Sequence, residues 1–414
     1  MKRKWILLLA LLPLAAAALY FGGRALWEEL ARRKSLYLEE VAYYAGVARE
    51  ERRFVLENQD ASGAFVQLLE EGKTSTVVPY FSNLAALALL EGEAGKEEQA
   101  AVKRHLQWIF RHLNRGNQDP VNGEGTIYDY QIVRRPGSPV QEISKKKYDS
   151  ADAYAASSLI LLRSYVERSG DLAFLEEEEE AVLLILEALL GTLDEDGLSM
   201  TDNRARLKYT IDNVEVNQGL KDGIWLLEEG YGRLQTSWQR KLLADLKGAL
   251  AANSKAIQEL LWNSGEKRFE VGLDSKGKAL DFGGMKEFYP SAVLQLFPMI
   301  FGVEDPGSSR SKALYQEFCE AWQWEGMAHR ERSESGFYWG VLAYAGALMG
   351  DEARTDAYLQ RYLELVEEDR GYPLYITEAA WVARSAGLLE ESYQRRIRFV
   401  DPFGWIDAAE PKGE

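Results

Sequence analysis

The feature that most constrains this chain is a series of paired helical segments whose first member is small and apolar all round and whose second is charged along one side. Apolar spacing places the pairs at 80–92 with 97–114, 149–168 with 172–192, 212–230 with 233–263, 288–303 with 309–323, 336–349 with 352–367, and 375–387 with 389–399. First members such as Asn83-Leu84-Ala85-Ala86-Leu87-Ala88-Leu89-Leu90 have no polar face to show to water, so they belong inside. Second members such as Lys96 to Arg111 suit an outer layer. Six buried helices ringed by six amphipathic ones predict an all-α (α/α)6 barrel, a six-helical-hairpin toroid, over residues 61–400.

Two stretches interrupt the helical period. Residues 116–147 hold the alternating run Thr126-Ile127-Tyr128-Asp129-Tyr130-Gln131-Ile132-Val133 and a turn at Pro136-Gly137-Ser138-Pro139, which predicts a small β-hairpin insertion. The second runs from about Phe269 to Phe288 and is rich in Gly and Lys. Long ordered connections of this kind tend to carry function.

At the N-terminus, Lys2, Arg3 and Lys4 precede an apolar stretch from Trp5 to about Phe21. That pattern predicts an export segment at 1–25, kept as a single-pass membrane anchor or cleaved near Ala15-Ala16-Ala17, with the main domain extracytoplasmic. An amphipathic helix over 26–60 would carry the chain away from the membrane, and 401–414 would be a tail. The lone Cys319 excludes an intramolecular disulfide, and the three scattered His (His105, His112, His329) leave little for a metal site, so no metal or cofactor is expected. A net charge of -16 without a clustered basic surface excludes a nucleic-acid partner.

In a ring of parallel inner helices all N-termini emerge on one face. Two of them share a phrase: Tyr148-Asp149-Ser150-Ala151-Asp152 and Asp212-Asn213-Val214-Glu215 each open a helix with two carboxylates three residues apart. The other starts add Tyr80 with Asn83, Tyr289, Tyr338 with Trp339, and Tyr375 with Glu378; Tyr148, Tyr154 and Asn213 flank the acids. Glycosidic bonds are cleaved by two carboxyl groups beside stacking aromatics, and this inventory fits that need. Glu124, held between Gly123 and Gly125, is a candidate general acid; Asp212 or Glu215 is a candidate base. Asp149 and Asp152 are read as holding the sugar, and the aromatic, amide and Glu378 side chains as contacting it. A second reading stays open: Asp149 with Asp152, and Asp212 with Glu215, also fit an N-cap followed by an acidic third residue.

With these starts in view, the chain resembles the six-hairpin glycosidase superfamily over about residues 60–400, and more distantly glycoside hydrolase family 8. That family carries a Thr-Asp-x-Asp cluster at an inner-helix start followed by small apolar residues, which Tyr148-Asp149-Ser150-Ala151-Asp152-Ala153-Tyr154-Ala155-Ala156 resembles. It also places a Glu-Gly general acid at the first inner helix, where this chain has Tyr80-Phe81-Ser82-Asn83. The resemblance implies an inverting glycoside hydrolase acting on a bacterial polysaccharide, in partnership with a synthase or export complex. The alternatives are a non-catalytic polysaccharide-binding scaffold of an exopolysaccharide secretion system and a polysaccharide lyase.

Overall fold

A computed structural model describes residues 2–69, 74–92, 94–134, 139–232, 236–332 and 336–406, the side chains of 2–23, 331, 332 and 368 excepted. The chain divides into two compact units, one of residues Met1–Ala48 with Ala386–Glu414 and one of Arg49–Ser385.

The larger unit is the barrel. Its inner ring runs from α2 (Pro79–Leu87) through α4 (Ala151–Ser169) and α7 (Thr210–Trp225) to a broken segment ending in α9 (Phe297–Ile300), then α12 (Val341–Leu348) and the start of α14 (Ile376–Val400). The ring closes where the Trp381 ring meets Tyr344 at 5.1 Å and the Thr377 hydroxyl donates to the Phe81 carbonyl at 3.2 Å. Outside it lie α3 (Lys96–Arg111), α5 (Leu172–Glu177) with α6 (Glu179–Gly191), α8 (Ser237–Ala256), α10 (Ser309–Ala321) and α13 (Glu352–Glu368); α11 (His329–Arg332) is a single turn. Inner helices made of Ala, Leu, Val and Ser bury nearly every position, as the first three turns of α4 do without interruption.

Several elements differ from the expected pairs. The sixth pair is one continuous helix, α14, because Gly387 alone does not break a run of good helix formers supported by Gln394–Glu390 and Arg395–Glu391 contacts. The outer place beside it goes to the last turns of α1 (Lys2–Glu57), where Glu51 accepts from the Tyr362 hydroxyl at 2.8 Å and pairs with Arg370, and Arg52 donates to the Glu91 carbonyl. The fourth inner segment is a succession of short turns from Gly284 to Ile300, since Pro290 and Pro298 lack the N–H that an unbroken α-helix would use.

The expected β-hairpin is present as β2 (Tyr130–Val133) and β3 (Gln141–Ser144), antiparallel with Tyr130 opposite Ser144, and β1 (Ser75–Val77) adds a third strand beside β2. Most of its turn lies outside the described residues. The start of the second interruption is tied down by two short ladders, β4 (Lys208–Tyr209) with β7 (Gly272–Leu273) and β5 (Trp262–Asn263) with β6 (Arg268–Phe269).

The single-pass anchor expected at 1–25 is corrected: among the described residues no helix is long and apolar enough to cross a membrane. From Arg24 onward α1 carries charges in nearly every turn, paired within the helix as Arg24–Glu28 and Arg33–Glu29, which suits water and not hydrocarbon. The Trp5–Phe21 side chains lie outside the description.

Helices α4 and α7 approach each other closely in the barrel. A Cβ on Gly219 would lie 2.7 Å from Ala156 Cα and 2.8 Å from its Cβ, and one on Gly223 would meet Leu186 at 2.6 Å. Gly219→Ala is expected to destabilise the barrel by about 1–3 kcal/mol, overpacking outweighing the helical propensity of Ala. Urea unfolding checks this; a Gly219→Ala protein as stable as the parent would mean the helices are free to move apart.

Candidate active site

The touching of α4 and α7 puts their first turns side by side. Ser150 is the N-cap of α4, its hydroxyl accepting from Ala153 N–H, and Tyr209 precedes α7 without a side-chain cap. Neither Asp149 nor Asp212 therefore caps its helix, which leaves both carboxyls for other work. The α7 start is fixed from behind, because Thr210 N–H donates to the Val271 carbonyl at 2.9 Å and its hydroxyl to the Glu270 carbonyl at 2.6 Å.

At this junction the Ser150 hydroxyl lies 3.0 Å from Asp212 Oδ2 and also contacts Asp152 Oδ1. A hydroxyl has one proton to give, so at most one of these contacts is a Ser150 donation; the other asks for a proton on a carboxyl. Asp152 is fully buried and its Oδ2 accepts from the Ser199 hydroxyl at 2.7 Å. Burial pushes its carboxyl up to about 6, while Asp212 is raised well above the usual range by burial and then by the charges of Asp152 and Glu215.

Glu215, 1% exposed, accepts from the Tyr80 hydroxyl at 2.5 Å through Oε1, while its buried Oε2 has no hydrogen-bond partner. Burial raises it to about 8. The same neighbourhood pushes the Tyr80 hydroxyl well above its ordinary value, burial first and the Glu215 charge second. Tyr80 stacks over Tyr154 at 6.3 Å, and Tyr154 donates to Asp129 at 2.9 Å.

A cavity of about 270 Å³ opens over the junction. Asp149, Ser150, Asp212 and Tyr209 line one wall, Phe282, Tyr289 and Pro290 the other. Asp149 is exposed and Tyr289 is 57% exposed, its ring 5.1 Å from that of Trp339. Burial, then the charges of Asp212, Asp149 and Glu215, holds the Tyr289 hydroxyl up at about 12. Trp339 has φ +58, a costly backbone for an aromatic residue, and its indole N–H is buried without an acceptor. Glu378 accepts from Gly340 N–H at 2.7 Å, and burial raises its carboxyl to about 7.

The remaining candidates lie elsewhere. Glu124 is exposed and accepts from Gly116 N–H at 2.7 Å; its neighbour Gly125 rests on Leu184 of outer helix α6, where a Cβ would come 2.1 Å from the Leu184 carbonyl oxygen. That places the Glu124 loop against the outer layer. Asn83 is fully buried, donating to Ser157 and Ser158 and accepting from His105 Nε2, while His105 Nδ1 accepts from Phe65 N–H. Burial lowers that imidazole to about 3, so it is neutral with its proton on Nε2. Asn213 is also fully buried, tying Ser199 and Tyr209 to Asn253. Tyr148 donates to Asp119 at 2.7 Å and so pins the 116–126 loop. Tyr338 is buried against Tyr362, and Tyr375 joins Phe337 and Tyr372 in an aromatic group. Sequence reading passed over Ser150, Tyr209 and Phe282. For Phe282 a signal existed: a lone aromatic beside Gly283-Gly284 in a segment otherwise rich in Gly and Lys.

No family model and no curated protein matches the chain. Solved structures do. A GH78 family rhamnosidase from a Bacillus species is 15% identical, with a TM-score of 0.51 over 84% of this chain and 35% of its own, so the chain spans about a third of that protein. A glycosidase variant in complex with glucose is 14% identical, TM-score 0.56, covering 86% of this chain and 98% of the other. A GH63 mannosylglycerate hydrolase from Thermus thermophilus, also in complex with glucose, is 12% identical, TM-score 0.51, covering 83% and 99%. The chain has a six-hairpin glycosidase-like fold.

The raised Glu215 carboxyl makes stability depend on pH. Because its folded value, about 8, exceeds its ordinary 4.5, its contribution is fully present below 4.5 and is lost as the pH rises through 8. Glu215→Gln is expected to leave urea stability at about pH 4 unchanged and to raise it above wild type at about pH 8.5 by a few kcal/mol. Equal curves at both pH values would show that Glu215 is ionised at no cost.

Proposed function

We propose that the chain is a glycoside hydrolase whose proton donor is Asp212 and whose second carboxyl is Asp149. The observation that carries this reading is the shared Ser150 hydroxyl, which together with burial keeps a proton on the Asp152–Asp212 pair, while Asp212 alone of the two lines the cavity. A carboxylic acid kept protonated at neutral pH can give that proton to a leaving glycosidic oxygen. Asp149, exposed and lining the same cavity, is the partner that activates water, which makes the reaction inverting. Tyr289, Phe282 and Tyr209 supply faces on which a sugar ring can stack. The common fold with glycoside hydrolases supports the same conclusion.

A lyase asks for a base such as an activated Tyr, and Tyr80 is shifted the opposite way by burial and then by the Glu215 charge. The acidic lining also repels a uronate.

On the polysaccharide cut in a screen of bacterial and plant glycans, Asp212→Asn and Asp149→Asn are each expected to lower kcat by about 10²-fold or more, with Glu124→Gln unchanged. Release of reducing ends by Asp212→Asn at the wild-type rate overturns the assignment, and the anomeric configuration of the first product, read by NMR, tests inversion.

A further inference from the structure

The cavity over Asp149 and Asp212 is one part of a longer depression. A second cavity of about 430 Å³, lined by Asp281, Phe282, Gly283, Glu287 and Tyr289, shares Phe282 and Tyr289 with it. A third of about 400 Å³ lies along Arg268, Glu270 and the same Asp281–Gly283 loop, and shares Phe282 and Val271 with the first. Phe282 lines all three. The first volume is just under the range of about 300–1,000 Å³ for whole small-molecule sites, so it fits a single ring and the others leave room for a chain to continue.

The loop that carries Phe282 is built to hold it. The Ser291 hydroxyl donates to the Phe282 carbonyl at 3.1 Å, Gly283 N–H donates to Asp281 Oδ1 at 3.1 Å, and the Arg268 guanidinium lies against Gly284, where a Cβ would come 3.0 Å from Nη1. Gly283 and Gly284 both have positive φ, which lets the backbone turn there and leaves the Phe282 ring 41% exposed on a fixed support. An exposed ring on a fixed backbone is a stacking surface ready before the ligand arrives.

Charge decides what kind of chain fits. Asp149, Asp281 and Glu287 line the first two cavities, and no cation is among the residues lining them. Arg268 is the cation lining the third, and its guanidinium is already paired with Glu266. A cleft lined by one sign of charge focuses its field, draws in the opposite charge and turns away like charge. Uronate, sulfate or phosphate groups are thus excluded, and an uncharged glycan gains nothing from the acids beyond ordinary hydrogen bonds. Ammonium groups spaced along a sugar chain are the charge that complements this lining.

Resting on the hydrolase reading above, we propose that the groove from Asp149 along Asp281–Tyr289 binds a glycan chain bearing free amino groups, with Phe282 and Tyr289 as stacking surfaces that lead from the cleavage point into the second cavity. The test uses the full-length Asp212→Asn protein in titration calorimetry at mildly acidic pH, with four probes: a glucosamine hexamer, a glucosamine dimer, a hexamer of N-acetylglucosamine and a hexagalacturonate. The glucosamine hexamer is expected to bind about tenfold or more tighter than the dimer or the acetylated hexamer, and to weaken with added salt. The Asp281→Asn, Glu287→Gln double variant is expected to lose the preference for free amines, and Phe282→Ala to weaken the hexamer more than the dimer. Equal binding of the acetylated hexamer, binding of the galacturonate, or failure of any glucosamine oligomer to bind overturns the proposal. Wild-type turnover on the same probes separates the two readings, since selective binding without cleavage removes the hydrolase and leaves the groove.

Discussion

The contact on which the site depends is the one between α4 and α7, where Gly219 leaves no room between its backbone and Ala156. Two helices held that close at mid-length bring their first turns within hydrogen-bond reach, and each first turn carries acids. Ser150 and Asp152 from one helix and Asp212 and Glu215 from the other therefore crowd a space at the floor of the cavity where little water reaches. Three carboxylate charges there would cost far more than the local hydrogen bonds return, so protons stay on some of the carboxyls. The proton kept on the Asp152–Asp212 pair thus follows from packing of small residues a few turns away.

Around this crowded pair the amides form the supporting frame. Asn253 donates to both the Gly197 carbonyl and Asn213 Oδ1, Asn217 donates to Asn253, and Asn213 receives Ser199 N–H, while the Ser199 hydroxyl reaches Asp152. The chain from α8 through α7 to α4 is thus continuous in hydrogen bonds. Amides suit this task because they give and accept at once and carry no charge to worsen the repulsion. The side chains left to meet a ligand are those on the other side of the acids: Asp149, Tyr209, Tyr289 and Phe282.

Much of the ring was legible in the sequence because a helix of Ala, Leu and Ser has no polar face, and that fact survives any tertiary context. The acidic phrases of α4 and α7 were legible for the same reason: acids at the start of such a helix can only emerge at its end. Asn83, Asn213 and Glu124 show where this stops. Whether an amide at a helix start faces the cleft or the neighbouring helix turns on rotation about the axis, which residue spacing does not specify. Glu124 sits in a loop whose direction is set by Gly125 resting on α6, a contact between residues far apart in sequence. The unbroken α14 escaped because a single Gly marks a helix end only when the residues after it have a reason to turn away.

The order of the ring adds a last constraint. Counting from α2, α7 is third and α14 sixth, so the acids of α7 and Glu378 stand on opposite walls of the inner face. Burial holds Glu378 near 7 while two backbone N–H groups from Trp339 and Gly340 point at it, an arrangement that keeps it poised between its two states near neutrality. Trp339 reaches that position with a backbone strained at φ +58 and an indole N–H left without an acceptor, and its ring meets Tyr289 at the rim of the cavity. Strain and an unmet donor are costs that the packing around Trp339 and Glu378 has to offset. The Tyr289 ring against Trp339 is thus the contact that joins the α12 start to the segment carrying Phe282.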